Sequence, residues 1–404
     1  MFDLLGFTSI AIVSLLTLFA GLLRPDISKI LLIALIVRVL VMLIGHYLVA
    51  LPDSTADAIS FEATAWSLAQ FGFLNVLDGY IGPDAKFISW LIAIPYSLFG
   101  RSILMAKSIS LLFGMGCVLL GWKLAKIIWD KQTANKVGWV IALFPSLILY
   151  SALIMREVYI VFFLIVALYG VVIWVKNNNY KSLVFVALGF IGATFFHGAL
   201  MIGALTFLVI AGILSFIKLY KSLINIRINI NIFMFFLIFI TISSLYILGK
   251  IYVPYLGSFK ASTNIENLLK KTDVATRGVA SYPEWTKINS FEELPYKGII
   301  RGLYFVFSPF PWDIKKPVHL IGMIDSFFYM YFSYLIFQNR KIIWKDPVLR
   351  IILIILLSYI IVFGVGVGNF GTGIRHRSKF VIIFILLAAP FIKRLTLKKI
   401  KKYK

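Results

Sequence analysis

The chain is organised by a succession of apolar runs, each about as long as a bilayer is thick. They occupy residues 4–23, 30–51, 103–122, 137–153, 157–175, 182–197, 199–217, 229–249, 318–337, 347–367 and 376–392. A helix needs roughly 20 apolar residues to cross the hydrocarbon of a membrane. The runs are rich in Leu, Ile, Phe and Val and lack the alternation of a membrane barrel. With 61% hydrophobic and only 14% charged residues in 404, the chain carries more apolar surface than a soluble fold can bury. The expected fold class is therefore all-α: one polytopic membrane domain of about 11 transmembrane helices, with further helices lying in the interface. The run 4–23 is preceded by Asp3 and is not followed by a small-residue cleavage site, so it reads as a retained helix rather than a signal peptide. Cys117 lies alone inside a run, which excludes a disulfide framework and a thiolate metal site.

Charge sets the orientation. The run Phe87–Gly100 has 14 residues and contains Pro95. Counted as a span, it would put the basic loop 123–136 on the opposite side from Arg24 and Lys29. Laid in the interface, it lets nearly unopposed Lys and Arg collect on one side, against only Asp26, Asp130 and Asp346. The positive-inside rule makes that side cytoplasmic. The net charge of +23 then reflects orientation and contact with anionic lipid, and argues against nucleic acid as a partner. The basic tail 393–404 reads as a cytoplasmic anchor. The other face receives the first outer loop, 52–100, the turn at Arg156–Glu157, His197, the segment 250–317 and the turn 368–377. Pro309, Pro311 and Pro317 break the second half of 250–317, so a re-entrant or interfacial element fits it better than a further span. The polar and unusual residues thus share one side, as expected of an enzyme working at one leaflet; a transporter places broken or polar elements near the midplane.

Five carboxylates, Asp53, Asp57, Glu62, Asp78 and Asp84, lie in the first outer loop before its first basic residue, Lys86. Acids grouped at the mouth of a span are costly near lipid and point to a proton, a cation or a cationic partner. The segment 52–72, PDSTADAISFEATAWSLAQFG, is followed by PDAKFISWLIAIPYSLFG at 83–100, AKSISLLFGMGCVLLGWKLAKIIW at 106–129 and FPSLILYSALIMREVYIVFF at 144–163. This series resembles the membrane glycosyltransferases of the GT-C superfamily, in particular those that draw sugars from undecaprenyl- or dolichyl-phosphate. In that family an Asp just beyond an early helix is followed by an aromatic at four, a small residue at eight, an aliphatic at eleven and a Gly at fifteen. Here these are Asp57, Phe61, Ala65, Leu68 and Gly72. The resemblance covers roughly residues 50–175. It implies a GT-C-like fold and an inverting transfer from a polyprenyl-linked sugar or oligosaccharide to a glycan or lipid acceptor. It also implies surface polysaccharide synthesis at the outer face of the bacterial cytoplasmic membrane.

Such a transfer needs a carboxylate to take the acceptor's proton and positive charge to meet the departing phosphate. Asp57 is the expected base, with Asp53 as its alternative. Lys86 and Arg156 are expected to bind phosphate. Glu157 matches the second acidic position of the resemblance; in related oligosaccharyltransferases acids there help to hold a divalent metal. The neighbouring Arg156, where an acid would help to hold it, makes a divalent metal the less favoured reading here, and no other cofactor is indicated. The segment GNFGTGIRHRSKF, 368–380, adds Arg375, His376 and Arg377, read as a phosphate or pyrophosphate clamp. Paired arginines on the outer face are also reminiscent of O-antigen polymerases. His197 and Arg301 are further candidates for the acid or acceptor side, and Arg38 stands inside a span without an evident partner. A lipid-linked sugar flippase is the alternative class; it calls for charged residues spread along the spans.

Overall fold

The computed structural model describes residues 3–224 apart from 81, 83 and 85, scattered positions in 233–250, and 280–314 and 318–393. Most of the expected span 229–249, nearly all of the first part of the segment 250–317 and the tail beyond 393 lie outside the described residues. Among those described the fold is all-helical. The only strand-like feature there is an isolated antiparallel bridge between Ser281 and Asn369.

Among the described residues six helices are long and apolar enough to cross a membrane. They include α1 (Leu4–Leu23), α2 (Pro25–Tyr47), α6 (Ile103–Ile128), α9 (Glu157–Asn177) and the helical stretch Gly198–Ser222, whose main part is α11 (Met201–Ile224). The sixth is α15 (Pro347–Gly366). Polar residues at the ends set the boundaries. Asp3 accepts from the Gly6 amide at 2.8 Å and Ser102 from Met105 at 3.1 Å. Asp130 accepts from Thr133 at 2.7 Å and Asp346 from Val348 at 2.8 Å. These side chains satisfy first-turn amides that have no partner within their own helix.

Among the described residues this is fewer than the expected count of about 11 spans, and two of the expected runs there are broken and one is short. The run 137–153 is two helices, α7 (Lys131–Leu143) and α8 (Pro145–Ser151), bent by 58°. Pro145 has no N–H to give the Ile141 carbonyl four residues back. Arg38 of α2 fills the break, donating to Ile141 O at 2.9 Å and Ala142 O at 2.7 Å. That finds the partner the sequence left open, and leaves neither a buried charge nor freed carbonyls unsatisfied. The run 182–197 is the short helix α10 (Leu183–Phe196). The run 376–392 is also divided. It begins in α16 (Phe370–Arg377), passes through a 3-10 turn, and continues as α17 (Val381–Ala388), whose residues are all buried. A helix apolar on every face belongs in the interior.

Between these lie α3 (Asp57–Ala69), α4 (Phe73–Asp78) and α5 (Phe87–Phe99). The helix expected at 87–100 is thus present. It packs on α3, and the Trp90 indole donates to Val76 O at 2.7 Å. Further along are α12 (Leu294–Phe307), α13 (Val318–Gln338) and α14 (Arg340–Lys345). The core gathers around α6 and α9, with α10 pressed on α9 and α12 on α15. Small residues permit both close approaches. A Cβ at Gly189 would strike the backbone of Ala167, and one at Gly364 would strike Gly302. Gly189→Leu is accordingly expected to cost about 1–3 kcal/mol through overpacking. Reversible denaturation in mixed micelles measures it, and unchanged stability would show that α9 and α10 can separate freely.

Candidate functional site

Three stretches distant in sequence meet beside the end of α2: the loop 48–57, the turn leading into α9, and α16. Two non-glycine residues in the loop have positive φ, Asp53 at 60° and Ala56 at 51°. Side chains rarely adopt that region. The sharp path turns the chain out of α2 and sets Asp57 in the first turn of α3.

Arg375 of α16 links the stretches. Its Nε donates to Glu157 Oε1 at 2.9 Å and its Nη1 donates to Asp57 Oδ2. Lys379 Nζ lies 3.8 Å from the same Glu157 oxygen and 2.5 Å from His376 Nδ1. The His376 ring stands edge-on to His197 with centroids 5.0 Å apart. Arg156 approaches from the other side. Its Nη1 donates to Phe196 O at 3.3 Å, and its guanidinium lies 5.2 Å from the centroid of Phe61, the aromatic four residues after Asp57. Glu157 is 1% exposed and Arg375 17%, whereas the Asp57 side chain is 51% exposed. Of these three, Asp57 is therefore the group a ligand meets first. Glu157 Oε2 is buried with no hydrogen-bond partner among the described residues.

Asp53 Oδ2 accepts from the Tyr150 hydroxyl at 2.8 Å. Burial pushes the Asp53 carboxyl above its usual range; the Tyr150 hydrogen bond and the charge of Arg375 pull it back only in part. With its pKa raised on folding, Asp53 contributes stability at pH below its unfolded value, lost as pH rises through its folded value. Tyr150→Phe removes a bond that favours the carboxylate. It is expected to move this transition upward by about one pH unit, and Asp53→Asn to abolish it. Melting temperature against pH reads both, and an unmoved transition in Tyr150→Phe would assign it to another group.

Of the residues expected from sequence, Asp53, Asp57, Arg156, Glu157, His197, Arg375 and His376 come together. Lys86 does not join them: its side chain is exposed at the start of α5. The adjacent Phe87 packs on Phe195 and Phe196, each at 5.1 Å, which brings that helix end next to the carbonyl holding Arg156. Arg377 is turned away from Arg375, as expected two residues on in a helix. It is fully buried, donating to Val306 O at 2.9 Å, to Ser308 O at 2.5 Å and to Asp325 Oδ2 at 3.1 Å. Arg377 thus serves as a bolt between α12, α13 and α16, and the two arginines are not a paired clamp. Arg301 is likewise fully buried. It donates to Gly364 O at 3.3 Å and Val367 O at 2.9 Å, capping the open carbonyls at the end of α15.

Tyr150 was not among the residues singled out from sequence. Inside an apolar run a tyrosine reads as packing, and nothing local marks a carboxylate 97 positions upstream. Lys379 stood in the segment 368–380 but had no evident anionic partner. Among the described residues no group of three or more His, Cys, Asp or Glu is placed to hold a metal ion.

Compared with family models, curated proteins and solved structures, the chain gives no match.

Proposed function

We propose that this chain is an inverting membrane glycosyltransferase. On this reading it takes a sugar from a polyprenyl-phosphate or -diphosphate donor at the outer face of the bacterial cytoplasmic membrane and serves surface polysaccharide synthesis. One observation carries the reading. Asp57, the carboxylate that the GT-C resemblance singles out, is half-exposed and ion-paired with Arg375, which comes from the far end of the chain. Proton acceptor and phosphate-stabilising cation are thereby side by side.

The chemistry follows from that pair. The acceptor oxygen attacks the anomeric carbon as the bond to the phosphate oxygen breaks, and the electron pair leaves with the phosphate. Asp57 takes the acceptor's proton. Negative charge grows on the departing phosphate, where Arg375 and Arg156 can meet it, with the buried Lys379 behind them adding positive charge. Without ligand, Arg375 is held by Asp57 and Glu157. An incoming phosphate competes with Asp57 for Nη1, so engagement of the cation frees the base. Glu157 stays behind the guanidinium and holds it in place.

The polymerase alternative drew on two outer arginines, and the commitment of Arg377 to Asp325 weakens that argument. The flippase alternative called for charges along a hydrated path. The buried Arg38, Arg301 and Arg377 instead donate to backbone carbonyls or to Asp325.

The test is purified protein in liposomes, supplied with labelled polyprenyl-phosphate and polyprenyl-diphosphate sugars and a glycolipid acceptor fraction. Label moving to the acceptor, with release of polyprenyl phosphate from the first donor or polyprenyl diphosphate from the second, is expected. Label crossing the bilayer without transfer would replace the enzyme with a flippase.

A further inference from the structure

The turn that presents Asp53 and Asp57 to the charged cluster has a second side. Ser54, Thr55 and Ala58 line a cleft of about 580 Å³, which is closed by the end of α2, the start of α6 and residues 153–154. That volume falls within the usual range of ligand sites. Its walls are mainly apolar, and several of these residues are open to the surroundings: Leu48 is 75% exposed, Val49 64% and Ile59 60%.

Among the cleft's polar side chains, His46, Tyr47, Ser54, Thr55, Glu62, Arg101 and Lys107, three bear a full charge. Glu62 contributes one carboxylate, already engaged by Arg101 through two hydrogen bonds of 2.9 and 2.7 Å and by the Tyr96 hydroxyl at 3.1 Å. His46 stands on the α2 side. Lys107, in the second turn of α6, is 8% exposed and forms no hydrogen bond or ion pair among the described residues. An ammonium withdrawn from water without a counter-charge is costly, above all in a membrane span. The side of Lys107 that remains open is the cleft it lines.

We propose that this cleft binds an anionic membrane lipid through its phosphate. The phosphate sits on Lys107 with His46 beside it, and the first part of the hydrocarbon chain lies along Leu48, Val49 and Ile59. A free anion would use the cation but not the exposed apolar wall, and a neutral lipid would leave Lys107 uncompensated. The occupant touches the same turn that carries Asp53 and Asp57. Whether it is a substrate rests on the transferase reading; its binding does not.

Tritiated geranylgeranyl phosphate, offered to the full chain in phosphatidylcholine nanodiscs with no sugar donor present, tests the proposal. Saturable binding is expected, about 10-fold or more weaker in Lys107→Met and largely kept in Lys107→Arg. Ala50→Trp, an exposed position on the cleft wall, is expected to block binding whether or not Lys107→Met folds. Equal competition by inorganic phosphate would make this a free-anion site and overturn the lipid. Equal binding of geranylgeraniol would overturn the role of the phosphate. Wild-type affinity in Lys107→Met or in Ala50→Trp would overturn the site. Because no transfer is measured, loss of the transferase reading leaves this result standing, and the reverse also holds.

Discussion

Asp57→Asn is expected to lower glycosyl transfer about 10²–10⁴-fold, the usual contribution of a positioned general base. The amide keeps the size and shape of the carboxylate but cannot take a proton. Because the Asp57 side chain is half in solvent, its ion pair with Arg375 adds no more than about 1 kcal/mol to stability. Folding should therefore survive, and the loss should fall on turnover rather than on the amount of folded protein. Initial rates with a saturating polyprenyl-linked donor, beside the melting temperature of the same preparation, separate the two. Turnover within a few-fold of wild type would remove Asp57 as the base and leave Asp53 to be examined.

Arg377→Met should cost about 3–5 kcal/mol of stability, the scale for removing one partner of a buried ion pair. Asp325 is 5% exposed and Arg377 fully buried, and the guanidinium also holds carbonyls from α12 and α13. Removing it strands the Asp325 carboxylate and several acceptors at once. Arg377→Met together with Asp325→Leu should recover part of the loss, since an apolar pair leaves no buried charge behind. Denaturant unfolding in mixed micelles decides. A single variant as stable as wild type would mean that water already reaches Asp325. The same variant bears on function indirectly, because α16 carries Arg375 on its other side; a fall in transfer without a fall in stability would contradict the bolt assignment.

Much of the frame was legible in sequence because apolar length is local information. The helices over 4–23 and 347–366, and the separate helix at Phe87–Phe99, needed only a count of residues between charges and glycines. The convergence of Asp57, Glu157 and Arg375 was anticipated only as a shared side of the membrane. Their contacts depend on how α9 and α16 pack, which no spacing encodes. Arginine was the least legible residue. Arg38, Arg301 and Arg377 all end on backbone carbonyls, and an open carbonyl leaves no mark in the sequence. A guanidinium that satisfies a helix break is therefore indistinguishable on paper from one that awaits a phosphate. Arg375 differs in facing two carboxylates, one of which was visible in the loop.

The bend at Pro145 reaches further than the topology of one span. Tyr150 sits five residues beyond it, about 7 Å of helix at 1.5 Å per residue. Were α7 and α8 coaxial rather than inclined at 58°, the tip bearing Tyr150 would lie roughly 7 Å from its place against Asp53. Arg38, buried in the neighbouring helix, thus acts at a distance as a spacer for a carboxylate it never touches. Tilting α8 would carry the Tyr150 hydroxyl away from Asp53 and leave burial, the larger influence, to hold that carboxyl above its usual range.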